Sequence, residues 1–123
     1  MIEGVVNSGH EAVVILPLQG PNGQVRDIEV VIDTGYGGYL TLPPSLTIDL
    51  GLDYLGDGQA YLADGTEVEF DVYNVTVLWD GHLRDVNAAA VGSLPLAGMK
   101  LLYRHNLNID VEGGGRVVIQ AMN

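Results

Sequence analysis

Asp33 is the residue of this chain best placed to do chemistry. It follows the apolar β-branched run Val30-Val31-Ile32 and precedes Thr34-Gly35-Tyr36-Gly37-Gly38, so a buried strand hands a carboxylate to a tight, glycine-rich loop. A carboxylate held that way can serve as a general base or, once protonated, as a general acid. The plainer reading is an Asp that caps a turn. By chance alone Asp-Thr-Gly occurs in roughly two or three per cent of chains this long, so the setting of Asp33 has to decide between the two.

The other chemistries fall away on residue type and spacing. His10, His82 and His105 stand far apart with no His-x-x-x-His pair, so no metal site is expected. Cysteine is absent, which removes thiol nucleophiles, thiolate metal sites and disulfides. Ser93, in Gly92-Ser93-Leu94-Pro95, lacks the second glycine of a nucleophile elbow. Gly113-Gly114-Gly115 is not followed by Gly-Lys-Ser/Thr and reads as a turn. The glycines at 35, 37 and 38 precede no long helix and stand in no βαβ pattern, which argues against a dinucleotide loop. No cofactor is expected.

Charge and length bound the partners. The net charge is −11 with five Lys and Arg together, which opposes binding to nucleic acid or to anionic membranes. No apolar run approaches the ~20 residues that cross a bilayer, and the start Met-Ile-Glu-Gly-Val-Val has no basic n-region, so a cytoplasmic protein is expected. At 123 residues with 47% hydrophobic content, the chain should form one domain, residues 1–123, with a real core but without room for two lobes.

The elements that must position Asp33 read mostly as strands. Val5-Val6 and residues 12–16 are β-branched runs separated by the turn cluster Asn7-Ser8-Gly9. Asn22-Gly23 is a strong hairpin signal, so residues 25–33 should pair antiparallel with the strand before them. Residues 39–42 alternate like a short strand, and Pro44 should open a short helix over 44–52 capped by Gly51. Strands at 59–62 and 66–78 flank Asp64-Gly65, a candidate type I′ turn, with a bulge expected near Tyr73-Asn74 where the alternation slips. Asp57-Gly58 and Asp80-Gly81 read as further turns. Residues 83–91 read as a strand, 96–105 as a short helix, and 106–112 with 116–120 as a terminal hairpin. Trp79, Phe70 and most tyrosines read as packing residues, with Tyr36 and Tyr39 the exceptions beside the candidate site. Many short strands with one or two short helices point to an all-β, closed or nearly closed barrel.

In this order the motifs resemble a known family. The strand ending in Asp33-Thr34-Gly35, the glycine-tipped hairpin at Ala63-Asp64-Gly65 and the late Leu96-Ala97-Gly98 before Met99-Lys100-Leu101-Leu102 are similar to a retropepsin-like (clan AA) aspartic protease. Tyr36-Gly37-Gly38-Tyr39-Leu40-Thr41-Leu42-Pro43 resembles the pattern of the small bacterial and archaeal single-domain members. The tail, 107–110 through 117–119, resembles the terminal hairpin of the eukaryotic DNA-damage-inducible retropepsin domains. The resemblance spans about residues 5–119.

The resemblance implies the retropepsin-like acid-protease fold, a closed β barrel, and a homodimer. One Asp-Thr-Gly and no Asp-Ser-Gly occur in the chain, so a two-carboxylate mechanism requires Asp33 from each of two subunits. By position in the motifs, Thr34 would brace the two loops across the dimer, and Gly35 would let the substrate approach the backbone. Ala63, Asp64 and Gly65 would tip a flap, Leu96, Ala97 and Gly98 would support the loop from behind, and the terminal strands would build the interface. Tyr36 stands where Ala, Ser or Thr is common, and Lys100 where Asp, Asn or Arg is common. The expected activity is that of an aspartic endopeptidase on peptide or protein substrates. The alternative is a catalytically weak or inactive module of the same fold that binds peptides or dimerises.

Overall fold

The computed structural model describes residues 1–61 and 63–123; Leu62, the last residue of the strand expected at 59–62, lies outside the described residues. Turn chemistry cuts the chain into short elements. Strand β1 (Ile2–Val6) passes through Asn7, whose side-chain oxygen accepts hydrogen bonds from the backbone N–H of Gly9 and Glu11, into β2 (Ala12–Gln19). Gly23, at φ 83°, turns the chain into β3 (Val25–Ile32), which pairs antiparallel with β2 from Gln19↔Val25 to Val13↔Val31. That register places Val14 and Leu16 on the buried face with Val30 and Ile32. Period-two alternation thus carries β3 to Asp33 with its apolar face already committed to the core.

Beyond the loop, β4 (Leu40–Leu42) is buried at all three residues, so it is an interior strand rather than the alternating one expected. Helix α1 (Pro44–Asp49) starts on proline and stops at Leu50, with Gly51 left-handed at φ 60°, as a C-terminal glycine allows. Strands β5 (Asp53–Tyr61) and β6 (Glu67–Trp79) form a long hairpin. Asp80 and Gly81, with φ 50° and 81°, then make a two-residue turn into β7 (His82–Ala90). Strand β8 (Leu96–Ala97), helix α2 (Met99–Leu102) and the terminal hairpin of β9 (His105–Ile109) and β10 (Arg116–Ala121) complete the fold.

Four further expectations change. The helix read at 96–105 is four residues long, because Leu96 and Ala97 are taken into the sheet between β3 and β4, and Arg104 at φ 64° ends the segment. Backbone partners on both sides outweigh the helical pattern of the side chains. The bulge lies across the hairpin from where the alternation slips: Leu55 is the extra residue, between Tyr54↔Tyr73 and Gly56↔Val72. Asp57-Gly58 is strand, not turn; Gly58 pairs with Phe70, whose ring occupies the space a Cβ would take. At Asp64-Gly65 only the glycine is left-handed (φ 86°), so the tip is not type I′.

The sheet order is β5-β6-β7-β4-β8-β3-β2-β1-β10-β9, with Leu18↔Val77 and Gln19↔Thr76 also joining β2 to β6. The sheet therefore returns on itself around a core of Leu16, Leu18, Val30, Leu40, Leu42, Val75, Val77 and Trp79. The architecture is all-β with two short helices. Among the described residues no helix is long and apolar enough to cross a membrane.

Candidate active site

Asp33 emerges from β3 into a loop that is stitched to the segment behind it. Strand β8 lies between β3 and β4, parallel to the first (Val31↔Leu96, Ile32↔Ala97) and antiparallel to the second (Leu40↔Ala97, Thr41↔Leu96). Those pairings hold the two arms of the loop apart by one strand. The Asp33 N–H donates to the Ala97 carbonyl at 2.9 Å, Gly98 N–H to Tyr39 O at 2.9 Å, Met99 N–H to Tyr36 O at 2.8 Å and Lys100 N–H to Gly38 O at 3.1 Å. Backbone groups that an open loop would leave to water are thereby satisfied by residues 97–100.

Side chains complete the brace. Ala97 is fully buried, and a Cβ at Gly98 would run into the carbonyl oxygens of Gly38 and Tyr36. Glycine at 98 is thus required by close approach. Buried Thr41 accepts from Leu96 N–H at 3.1 Å and donates to Leu94 O at 3.4 Å, tying β4 to the entry of β8. Thr41 was not legible as a brace: a threonine between two leucines in a short strand is its one sequence signal. Leu96, Ala97 and Gly98 all lie behind the loop.

At the tip, the Gly35 N–H donates to Asp33 Oδ1 at 2.9 Å. That bond orients the carboxylate through one of its two oxygens. Thr34 and Gly35 are exposed. Tyr36 does not crowd the carboxylate: its half-buried ring lies over Gly38 and against Gly98, with the hydroxyl donating to Leu40 O at 3.4 Å. Burial raises the Tyr36 pKa above its ordinary 10.0, so it remains a neutral phenol wherever a carboxylate dyad would operate.

A cleft of about 640 Å³ opens beside the loop, with Gly35, Tyr36 and Gly38 on one side and Ala60, Val68 and Phe70 of the β5–β6 hairpin on the other. Phe70 is therefore a cleft residue as well as the cover over Gly58, a role its strand alternation concealed. The hairpin has two faces: Val68 and Phe70 are half-buried toward the cleft, while Glu67, Glu69 and Asp71 between them are exposed. Its strands, rather than its tip, wall the cleft; Ala63, Asp64 and Gly65 are exposed and do not line it. Asp64 Oδ1 accepts from the Thr66 N–H at 2.9 Å, and the bonds from Thr66 hold the Asp64 carboxyl below the ordinary 3.8.

His82 and His105 line one hollow with Asp80, separate from the lining of the cleft. His105 accepts from the Trp79 indole N–H at 3.2 Å, and among the described residues no group of three His, Asp or Glu side chains could hold a metal ion. No family model matches the chain, and no curated protein matches it by sequence. Solved structures do. A retropepsin-like aspartic protease from Rickettsia conorii superposes with a TM-score of 0.64 at 17% identity, covering 98% of this chain and 89% of that one. The EIAV protease, complexed with the inhibitor HBY-793, superposes with a TM-score of 0.59 at 18% identity, covering 78% of this chain and 88% of the other. The chain has the fold of the retropepsin-like aspartic proteases.

Proposed function

We propose that the chain is an aspartic endopeptidase that acts as a homodimer, hydrolysing peptide bonds with water activated between two copies of Asp33. The observation that carries this reading is the placement of Asp33: a carboxylate with one oxygen fixed by Gly35, in a loop anchored to residues 97–100 and opening on an apolar cleft. A turn-capping Asp would need none of that anchoring. The chain supplies one such carboxylate, so the dyad needs a second subunit.

With one proton shared between the two Asp33 residues, the ionised carboxylate takes a proton from water as its oxygen attacks the scissile carbonyl carbon. The protonated carboxyl hydrogen-bonds the carbonyl oxygen. Collapse of the tetrahedral intermediate breaks the C–N bond, and a proton passes to the departing amine. The substrate lies extended in the cleft, in the manner of an added strand, and the tip at Ala63, Asp64 and Gly65 closes over it to exclude water. Exposed Thr34 would brace the partner's loop, and Leu96, Ala97 and Gly98 hold the loop from behind. Strand β9 ends the sheet order with an open edge, which supports an interface built from the terminal strands.

The test is incubation of the wild type and Asp33→Asn with a diverse peptide mixture from pH 3 to pH 8, with products read by mass spectrometry. Cleavage by the wild type in the acidic range and none by the variant is expected. Cleavage retained by Asp33→Asn, or a rate that climbs steadily into the alkaline range, overturns the assignment.

A further inference from the structure

Lys100 is the one lysine of the chain, and its position is unusual for so acidic a protein. Helix α2 begins one residue earlier, and the Lys100 N–H is pinned to Gly38 O. The side chain therefore starts from the loop that carries Asp33. From there it lines the cleft, and its ammonium stands 5.8 Å from the centre of the Tyr39 ring. It also lines a smaller hollow of about 150 Å³ continuous in residues with the cleft, shared with Tyr36, Phe70 and Asn87. Among the described residues that line either cavity, Lys100 alone carries a formal charge. The ion pairs of the described residues engage Arg26, Arg116 and the N-terminal amine, and none engages Lys100.

We propose that Lys100 makes this cleft selective for a peptide with a carboxylate side chain at one position beside the cleaved bond. The inference rests on the reading of the cleft as the peptide site of an aspartic protease. Lys100 is exposed at the mouth of an aromatic and aliphatic lining, so an ion pair formed there is partly screened by water. The Tyr39 ring holds the cation by its face without neutralising it, which leaves the ammonium's N–H groups for a ligand. Acidity elsewhere in the peptide works the other way. The hairpin over the cleft carries Asp57, Asp64, Glu67, Glu69 and Asp71 and no basic residue, and the whole chain is at −11, so a generally acidic peptide is repelled during approach. The substrate class is thus narrow: an extended, mostly apolar peptide, not acidic overall, with one Glu or Asp where Lys100 reaches it.

The experiment uses matched peptides that carry Glu, Gln or Lys at each position in turn around one cleaved bond, with kcat/KM measured for the wild type, Lys100→Arg, Lys100→Met and Lys100→Glu. At one position the wild type should prefer Glu to Gln by about two- to fivefold, which is the range of a partly screened ion pair. Lys100→Arg should retain that preference, Lys100→Met should bring the ratio to one, and Lys100→Glu should invert it in favour of Lys. The ratio should also fall toward one below about pH 4, as the peptide Glu is protonated. A Glu-to-Gln ratio that is unchanged in Lys100→Met, or absent from the wild type while cleavage proceeds, overturns the inference and leaves the protease assignment intact. If no peptide is cleaved, the same peptides are titrated calorimetrically against the protein. Lys100-dependent binding of the Glu peptide then upholds the inference without the protease assignment, and equal or absent binding of all peptides overturns it.

Discussion

Two loops in this protein are built on the same local device and do different things with it. At Asp33-Thr34-Gly35 and at Asp64-Gly65-Thr66, an Asp oxygen accepts the backbone N–H two residues ahead, at 2.9 Å in both. Seen in isolation they are one kind of Asx turn. The first is bonded through its backbone to residues 97–100 and backed by a buried strand; the second stands exposed at the end of a hairpin. A local motif sets where a carboxylate points, and the surroundings decide whether it is held still enough to catalyse. A held loop makes a floor, and an unheld one can serve as a lid.

Exchanging Asp for Asn separates the two loops most sharply, because Asn can keep each turn but cannot ionise. Asp33→Asn should cost at least ~10³-fold in cleavage, the scale of a lost general acid or base. Asp64→Asn should stay within about twofold of wild type. Thermal unfolding should show both variants folded, and equal effects on cleavage would erase the distinction drawn between the loops.

Glycine replacements probe the anchoring. In Gly98→Ala the new methyl meets the backbone carbonyls of Gly38 and Tyr36, so urea unfolding should show a loss of about 1–3 kcal/mol together with a fall in cleavage as the loop shifts. Gly65 is left-handed with open space around it. Gly65→Ala should therefore cost about 1 kcal/mol of local strain, felt in flap closure more than in global unfolding. A larger global loss in Gly65→Ala than in Gly98→Ala would reverse the assignment of which loop is anchored.

The proposed dyad separates the two loops further, because it calls for a second copy of the Asp33 loop and not of the Asp64 tip. With −11 on each subunit, raising salt from low to moderate should tighten the dimer by about tenfold, and acidification should act in the same direction. Sedimentation velocity across salt and pH measures it, and a monomer under all conditions removes the basis for a dyad.

The smallest effect is expected at the Asp64 tip. Because Asp64 has its carboxyl pKa depressed by Thr66, its contribution is complete above the ordinary value of 3.8 and fades as pH falls through the lower folded value. The Thr66 amide resonance should move with that titration while the backbone-anchored amides of Gly98 and Met99 hold their positions. A Thr66 amide indifferent to acid would remove Asp64 from the tip's hydrogen bonding.

Strand existence was legible in the sequence wherever β-branched residues alternate and turn residues punctuate, as in β2, β3 and β6. So was the delivery of Asp33 to a loop, since Ile32 precedes it and Gly35 follows two residues on. Residues 96–105 were not legible, because Leu96 and Ala97 carry no mark of the two strands that would claim them. Phe70 was read as packing for a related reason: alternation says that a side chain shares a face with Val68 and Val72, and not whether that face meets the core or a cleft.

Residue type and near-neighbour spacing are enough for the strand pattern, the single Asp-Thr-Gly, the acidic charge and the absence of thiol chemistry. Contacts across the fold settled which of two equivalent Asx turns is anchored, why a glycine at 98 is needed beside Tyr36, and that Lys100 lines the cleft. Each of these is a contact between segments far apart in the chain. The pairing of β8 between β3 and β4 brings those segments together, and spacing along a sequence carries no record of it.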